Sequence, residues 1–326
     1  MIKKSSHSVI GSMLNFRTVY FFFYWHIRSL VKWFLRKTTG LCELQRICYG
    51  KPVGYIRSQG VEYSLQHSKS PEIQLMLNTL NGIAEKLRFT GRNQKIVLEQ
   101  SVKTVLLVKQ IHPSVHKQFI VSLSRCFEHI WGYQQLFHEI EGLRLTQFDS
   151  LNNVHEEKLT RLWAALMPKV PLEARITKQW QDIGFQGDDP KTDFRGMGML
   201  GLENLLYFAE EYPSAAHHVH LHSIHPTYGY AFAIVGINLT SLLYNLLKDG
   251  TAKTHVYNAC KSLPSIRVFH QLYSYLFYEF DKFWIESKPK DVMQFNYIRD
   301  QFESNIRDIL KNPSTVFRIN FVVNTV

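Results

Sequence analysis

The sequence is poor in cysteine and lacks the motifs of the common hydrolytic and nucleotide-binding sites. Its 326 residues include four cysteines, whose spacing fits neither a zinc site nor the dense disulfide pattern of a small secreted domain. GxSxG, HExxH and P-loop motifs are absent from the sequence. We therefore expect a reducing, intracellular environment, no cofactor, and no GTP site or hydrolytic centre in the chain itself. The cysteines are Cys42, Cys48, Cys126 and Cys260.

Acidic residues are nearly absent from the first 50 positions. Glu43 stands there against eight lysines and arginines, so this segment carries +7 of the chain's formal net charge of +11. A basic segment at one end favours attraction to an anionic membrane surface, because a nucleic-acid-binding protein usually carries its basic residues along a reading face. We expect no nucleic-acid partner.

Residues 16–35 within this basic region are aromatic and apolar enough to suggest a signal peptide or a membrane span. Two of their basic residues argue against a span, because each costs ~2.5–3.5 kcal/mol at the centre of a membrane helix. Arg28, Lys32 and Arg36 follow one another at intervals of four residues, which is typical of a helix that lies on an anionic membrane. A helix packed on the body and a true span remain alternatives. The predicted membrane contacts are Trp25, Arg28, Lys32, Trp33 and Arg36.

Alternating strand patterns and long repeats are also absent, so the chain is expected to be all-α. Residues 51–70 are rich in Gly, Ser and polar side chains and are interpreted as a linker to a body at 71–326. Residues 316–326 are expected to form a short strand or a docked tail. Helices are predicted at 72–87, 94–110, 113–145 with a break near Gly132, 155–167, 199–208, 215–223, 228–248, 251–259, 265–286 and 292–310.

The helical pattern is interrupted most strongly at residues 184–198, which contain four glycines, a proline and alternating charges. We predict an exposed, shaped loop that leads directly into a helix. Arg195 lies at the edge of this helix, flanked by Gly196 and Gly198. Small neighbours leave its guanidinium free to approach another surface, which must be anionic to compensate a charge removed from water.

The run from 180 to 208, WQDIGFQGDDPKTDFRGMGMLGLENLLYF, resembles the signature of ELMO-domain proteins. Supporting stretches lie at 40–49, 229–240 and 278–286, and the resemblance covers about 36–310, loosely between 71 and 125. It implies a single all-α ELMO domain at about 125–310 and an activator of GTP hydrolysis, not an enzyme itself. The implied partners are Arf and Arf-like GTPases in the GTP form, and the implied catalytic residue is Arg195, the arginine of TDFRG.

The remaining residues of the loop are assigned by position. Asp193 is predicted to hold the guanidinium of Arg195 or to touch a switch region of the GTPase. Trp180, Phe185 and Phe194 are expected to fix the loop to the core. The predicted partner-binding residues are Gln186, Asp188, Asp189, Lys191, Thr192 and Asp193, and the predicted loop-shaping residues are Gly184, Gly187, Pro190, Gly196 and Gly198.

Three alternatives remain open at this stage, and one of them is a membrane-bound structural protein built on the two apolar helices. Arg195 could pair with Asp189 or Asp193 and only shape the loop, since surface arginines are usually solvated or weakly paired. The chain could also be a non-catalytic scaffold that binds a GTPase or an exchange factor, as other ELMO-domain proteins do. If the chain activates GTP hydrolysis, we expect it to be a cytoplasmic protein that associates peripherally with an organelle membrane.

Three further patterns are given structural interpretations. Gly196, Gly198 and Gly201 spell GxGxxG, but a charged segment with a proline precedes them where a dinucleotide site needs an apolar strand. Residues 228–247 lack a formal charge, yet their polar residues recur at helical spacing, which favours a buried helix with one polar edge.

The histidines of 217–225 form the third pattern. On a helix His218, His222 and His225 share one face, as ligands of a zinc ion can. Because neither a cysteine nor an acidic residue follows closely in sequence, they are interpreted as surface histidines, and no metal site is predicted.

Overall fold

The computed structural model of the chain describes residues 27–86 and 91–321, and within these ranges it is helical without a β-strand. Helix α1 covers residues 27–39 of the described chain. The helices that follow are α2 (Glu43–Gly50), α3 (Tyr55–Gln66), α4 (Pro71–Lys86), α5 (Gly91–Lys109), α6 (Lys117–Leu145), α7 (Asn153–Leu166), α8 (Gly198–Glu211), α9 (Pro213–Ser223), α10 (Phe232–Lys248), α11 (Lys253–Ala259), α12 (Ile266–Glu286) and α13 (Phe295–Leu310). The prediction of an all-α fold is confirmed.

The long helix α6 joins two clusters of buried side chains. Phe119 and Trp131 in its first half belong to a cluster with α2 to α5, whereas Tyr133 and Ile140 in its second half belong to the larger cluster of α7 to α13. The predicted break near Gly132 is wrong, because the helix continues through it. Gly132 serves close packing instead, since a Cβ there would lie 2.5 Å from Pro264 Cδ.

The predicted linker at 51–70 is also wrong, because most of it forms α3. The apolar residues Val61 and Leu65 are fully buried in the first cluster. Polar residues of this helix form hydrogen bonds with other helices, as between the Ser58 hydroxyl and His129 Nδ1 of α6, which lie 2.8 Å apart. Glycine and serine therefore let this helix pack closely on its neighbours. The same residue types are common in flexible linkers, so composition alone does not separate the two cases.

Helix α10 belongs to the larger cluster and packs against α8 and α12. Thr240 is fully buried on it and its hydroxyl accepts a hydrogen bond from the amide of Asn204 (3.0 Å). Asn238, Ser241 and Asn245 lie on its more exposed edge, which confirms the predicted buried helix with one polar edge. No described helix combines the length and the apolar character needed to cross a membrane.

The C-terminal stretch that the structure describes is a docked tail. Phe317 is buried, and its N–H donates to His255 Nδ1 at 3.1 Å. Phe321 packs edge-to-face on Tyr212, with ring centroids 5.2 Å apart. The sequence predicted either a short strand or a docked tail here. Over 316–321 the segment is a docked tail whose aromatic residues pack on the larger cluster.

Candidate functional site

The segment that joins α7 to α8 ends in a defined structure, which we call the arginine loop (residues 177–198). It contains two 3-10 turns, Lys178–Ile183 and Pro190–Arg195. The second turn starts with Pro190, and the preceding Asp189 caps it by accepting a hydrogen bond from the N–H of Lys191 (3.0 Å). The N–H of Thr177 donates to the carbonyl of Asp188 (3.0 Å) and closes the base of the loop. The loop is therefore structured along its length.

Three aromatic side chains fix the arginine loop to the larger cluster, as predicted. Trp180, Phe185 and Phe194 are each 3% exposed or less. Ring centroids lie 5.9 Å apart between Trp180 and Phe185 and 5.6 Å apart between Phe185 and Phe194, both in edge-to-face geometry. Such contacts add about 0.5–1.5 kcal/mol per pair beyond the burial of apolar area. The backbone on either side of the second turn is thus held in place.

Two of the glycines occupy positions where a side chain does not fit. Gly184 has φ +85°, and a Cβ there would lie 2.2 Å from the backbone nitrogen of Phe232. Gly198 has φ +51°, and its Cβ would come within 2.4 Å of the carbonyl oxygen of Arg144, at the end of α6. At Gly187 and Gly196 a Cβ would meet no atom of the described part of the chain within 4 Å, so packing against that part does not require glycine there.

Arg195 ends the second 3-10 turn with an exposed side chain. Among the residues that the structure describes, it makes neither a hydrogen bond nor an ion pair. Both acids that could have paired with it are occupied elsewhere: Asp189 binds Arg175 (3.0 Å), and Asp193 accepts the N–H of Gln186 (2.9 Å). The pairing that would make Arg195 purely structural is not formed.

Asp193 accepts a hydrogen bond from the loop backbone and does not form an ion pair with the guanidinium of Arg195. Burial raises the pKa of its carboxyl above the usual range, while the N–H of Gln186 and the charge of Arg195 oppose this shift. Arg195 is therefore near enough to act on Asp193 through space, although no ion pair joins them. Its guanidinium remains available to a partner.

Arg175 is a residue of this site that sequence reasoning missed. It binds the carboxylate of Glu156 on α7 and that of Asp189 in the arginine loop. Its guanidinium also lies 5.7 Å from the ring centroid of Phe148. Because Arg175 takes the carboxylate that could have captured Arg195, it helps to leave Arg195 free.

The other residues predicted to contact a partner differ in their exposure to solvent. Gln186, Asp188, Lys191 and Thr192 are exposed, whereas Asp189 and Asp193 are half-buried and already bonded within the loop. Four of the six predicted contact residues are thus accessible together with Arg195.

The N-terminal residues predicted to contact a membrane divide into two groups. Trp33 is 61% exposed and its neighbour Phe34 59%. Arg28 and Lys32 bind Glu43 at 3.2 and 2.6 Å and are therefore directed to the body. Contact of these two residues with a membrane stays a prediction, and their ion pairs with Glu43 are the interactions that the structure gives them. Arg36 is exposed, and Trp25 lies outside the described residues.

The histidine pattern is only partly as predicted. His218 and His222 lie one turn apart on α9, but His225 lies beyond the end of that helix and stacks on Tyr228, with ring centroids 3.6 Å apart. The fold brings Asp281 of α12 to the other two histidines. Its distance in sequence explains why the pattern gave no acidic partner.

The comparisons with known proteins agree with the resemblance described above. The sequence model of the ELMO/CED-12 family matches residues 138–299. The chain is 46% identical over 290 residues to ELMO domain-containing protein 2 of Bos taurus, covering 89% of the chain and 94% of that protein. It is 42% identical over 319 residues to ELMO domain-containing protein 1 of Homo sapiens (90% and 91%) and 33% identical over 290 residues to ELMO domain-containing protein B of Dictyostelium discoideum (87% and 94%).

Proposed function

This chain belongs to the ELMO/CED-12 family, and on that premise we propose that it activates GTP hydrolysis by small GTPases of the Arf and Arf-like group. It supplies Arg195 in trans and carries out no hydrolysis alone. The observation that carries this proposal is an exposed arginine that has no partner within residues 27–86 and 91–321, on a loop whose neighbouring residues are fixed to the core.

The chemistry of GTP hydrolysis suits such a group. The protein mainly positions reactants and neutralises the charge that develops on the phosphoryl oxygens, and an arginine supplied in trans is worth ~10³ to 10⁵ in rate. The planar fork of Arg195 can donate two parallel hydrogen bonds to these oxygens. The GTPase contributes its own magnesium ion, lysine and water-positioning glutamine.

The anchoring of the loop favours this role over that of a mobile surface arginine. Phe194, directly before Arg195, is fully buried, so entry into the nucleotide pocket requires ordering of the Arg195 side chain but little backbone ordering. The exposed residues Gln186, Asp188, Lys191 and Thr192 then form the surrounding contact with the GTPase, while Asp193 holds the backbone of the loop in shape.

The test is single-turnover hydrolysis of GTP preloaded on a panel of Arf and Arf-like GTPases, with Ras-type and Rho-type GTPases as the comparison. We expect an acceleration of ~100-fold or more for at least one member of the Arf and Arf-like group. If the chain binds the GTP forms without accelerating hydrolysis of any of them, the scaffold function replaces the catalytic one.

We further propose that the protein acts in the cytoplasm on an organelle membrane, with α1 as its contact. The exposed apolar side chains of α1 support this, because a group of neighbouring exposed apolar residues commonly marks an interaction surface. They are Ile27, Leu30, Val31, Trp33 and Phe34.

Replacing Trp33 and Phe34 together with serine is expected to weaken binding to vesicles that contain anionic lipid by at least ~10-fold, since each side chain contributes about 1.5–3 kcal/mol when fully removed from water. Flotation with vesicles measures the partition coefficient. Leu107→Ser is the matched control, because Leu107 is 78% exposed on α5, outside this surface. Equal partitioning of the double variant and the control would exclude α1 as the membrane contact.

A further inference from the structure

A cluster of metal-ligating side chains lies between α9 and α12, separate from the arginine loop. His218 and His222 stand one turn apart on α9, and Asp281 faces them from α12. One ligand atom from each of the three residues lies within 4.8 Å of the others. The two imidazole ring centroids are 4.2 Å apart.

Asp281 is the unusual member of this cluster, because its side chain is fully buried. The hydroxyl of Tyr230 donates to its Oδ1 at 2.6 Å, and His222 Nδ1 lies 2.6 Å from its Oδ2. Burial raises the pKa of the Asp281 carboxyl, whereas these two hydrogen bonds favour its ionised form. A buried carboxylate needs such partners, and a bound cation is a further way to compensate its charge.

We propose that His218, His222 and Asp281 form a binding site for a divalent transition-metal ion, with Zn²⁺ the best match. Two imidazole nitrogens and one carboxylate oxygen are a common zinc ligand set, with bonds of about 2.0–2.2 Å. Ligand atoms of a tetrahedral site are about 3.3 Å apart at these bond lengths, so small rotations of the side chains close the cluster around the ion. A water molecule takes the fourth position on the half-exposed histidine side.

The surroundings provide the supporting interactions that metal sites usually have. The Tyr230 hydroxyl orients the carboxylate through the oxygen that faces away from His222, as outer hydrogen bonds do in such sites. The cation of Lys282, one residue after Asp281, is paired with Glu279 at 3.0 Å.

Metal binding requires His222 Nδ1 to give up the hydrogen bond to Asp281 Oδ2, so that both atoms turn to the ion. In the neutral imidazole the Nδ1 proton moves to Nε2, and in the imidazolium one proton is released to solvent. The ion then cross-links α9 to α12. Since His220 Nε2 of α9 lies 3.0 Å from the carbonyl oxygen of Asp182, in the first 3-10 turn of the arginine loop, the site stabilises a helix that supports the loop. This inference does not depend on the proposed activity.

The test is calorimetric titration of the chelator-treated full-length protein with Zn²⁺. His218→Ala removes one ligand but leaves the hydrogen bonds of Asp281 with Tyr230 and His222 intact. His217→Ala is the matched control, being half-buried on the same helix and outside the cluster. We expect one Zn²⁺ per chain for the wild type and the control, and an affinity at least ~10-fold lower for His218→Ala.

A second measurement uses the effect of zinc on thermal unfolding. A ligand that binds only the folded state raises the Tm, so saturating Zn²⁺ is expected to raise the Tm of the wild type and of His217→Ala more than that of His218→Ala. Absence of stoichiometric uptake by the wild type would overturn the proposal. Equal zinc affinity of wild type and His218→Ala would overturn it as well.

Discussion

Replacing Arg195 with lysine is expected to lower the stimulated rate of GTP hydrolysis at least ~100-fold while leaving the fold intact. Lysine keeps the positive charge but loses the planar fork that donates two hydrogen bonds at once. Because Arg195 is exposed and unpaired among the described residues, the free energy of unfolding should stay within about 0.5 kcal/mol of the wild-type value. Single-turnover hydrolysis and denaturant unfolding measure the two quantities separately.

Lys191→Ala is the matched control for this experiment. Lys191 is a second exposed cation in the same 3-10 turn, and its replacement removes one positive charge from the same surface, whereas Arg195→Lys removes none. We expect a change of only a few-fold in the rate of association, as is usual for a charge at the rim of an interface. If Arg195→Lys stimulates hydrolysis as well as the wild type does, the catalytic group lies elsewhere.

Gly198→Ala is expected to destabilise the protein by about 3 kcal/mol or more, because two penalties combine. The backbone of Gly198 is left-handed, with φ +51°, and the added Cβ would lie 2.4 to 2.9 Å from three carbonyl oxygens at the end of α6. These oxygens belong to the backbone and cannot rotate away. The start of α8 must therefore shift, which displaces Arg195 three residues earlier and lowers stimulated hydrolysis along with stability.

Gly196→Ala is the control for that substitution. Gly196 has φ −79° and open space around the position of a Cβ. We expect its free energy of unfolding to stay within about 1 kcal/mol of the wild-type value. Denaturant unfolding monitored by tryptophan fluorescence compares the two variants. Equal stability of Gly196→Ala and Gly198→Ala would contradict the close packing of α8 on α6.

The helices of the body could be predicted from sequence because apolar side chains at a helical period bury one face of each. The errors arose where a residue type has two uses. Gly132 suggested a break, yet it lets α6 pack on Pro264. The serines and glycines of 51–70 suggested a linker, yet Ser58 bonds to His129 of α6 and α3 is packed in the core.

The candidate site was predictable in its location and not in its bonding. The position of Arg195 between a glycine-rich loop and a helix can be read locally, and the resemblance gives it a role. The guanidinium of Arg195 does not pair with Asp189, because Asp189 forms an ion pair with Arg175, which lies 20 residues before Arg195. In the same way, periodicity places Arg28 on a face of α1 but cannot show that Glu43 lies opposite. Contacts made by the fold decide these cases.

The central claim is that Arg195 binds the phosphoryl group during transfer, and affinity for a transition-state analogue tests it most directly. The measurement compares binding to the responsive GTPase loaded with GDP and aluminium fluoride with binding to the GDP form. We predict that the wild type binds the analogue complex at least ~100-fold more tightly than the GDP form and that Arg195→Lys loses most of this preference. Equal affinity of the wild type and Arg195→Lys for the analogue complex would contradict the claim.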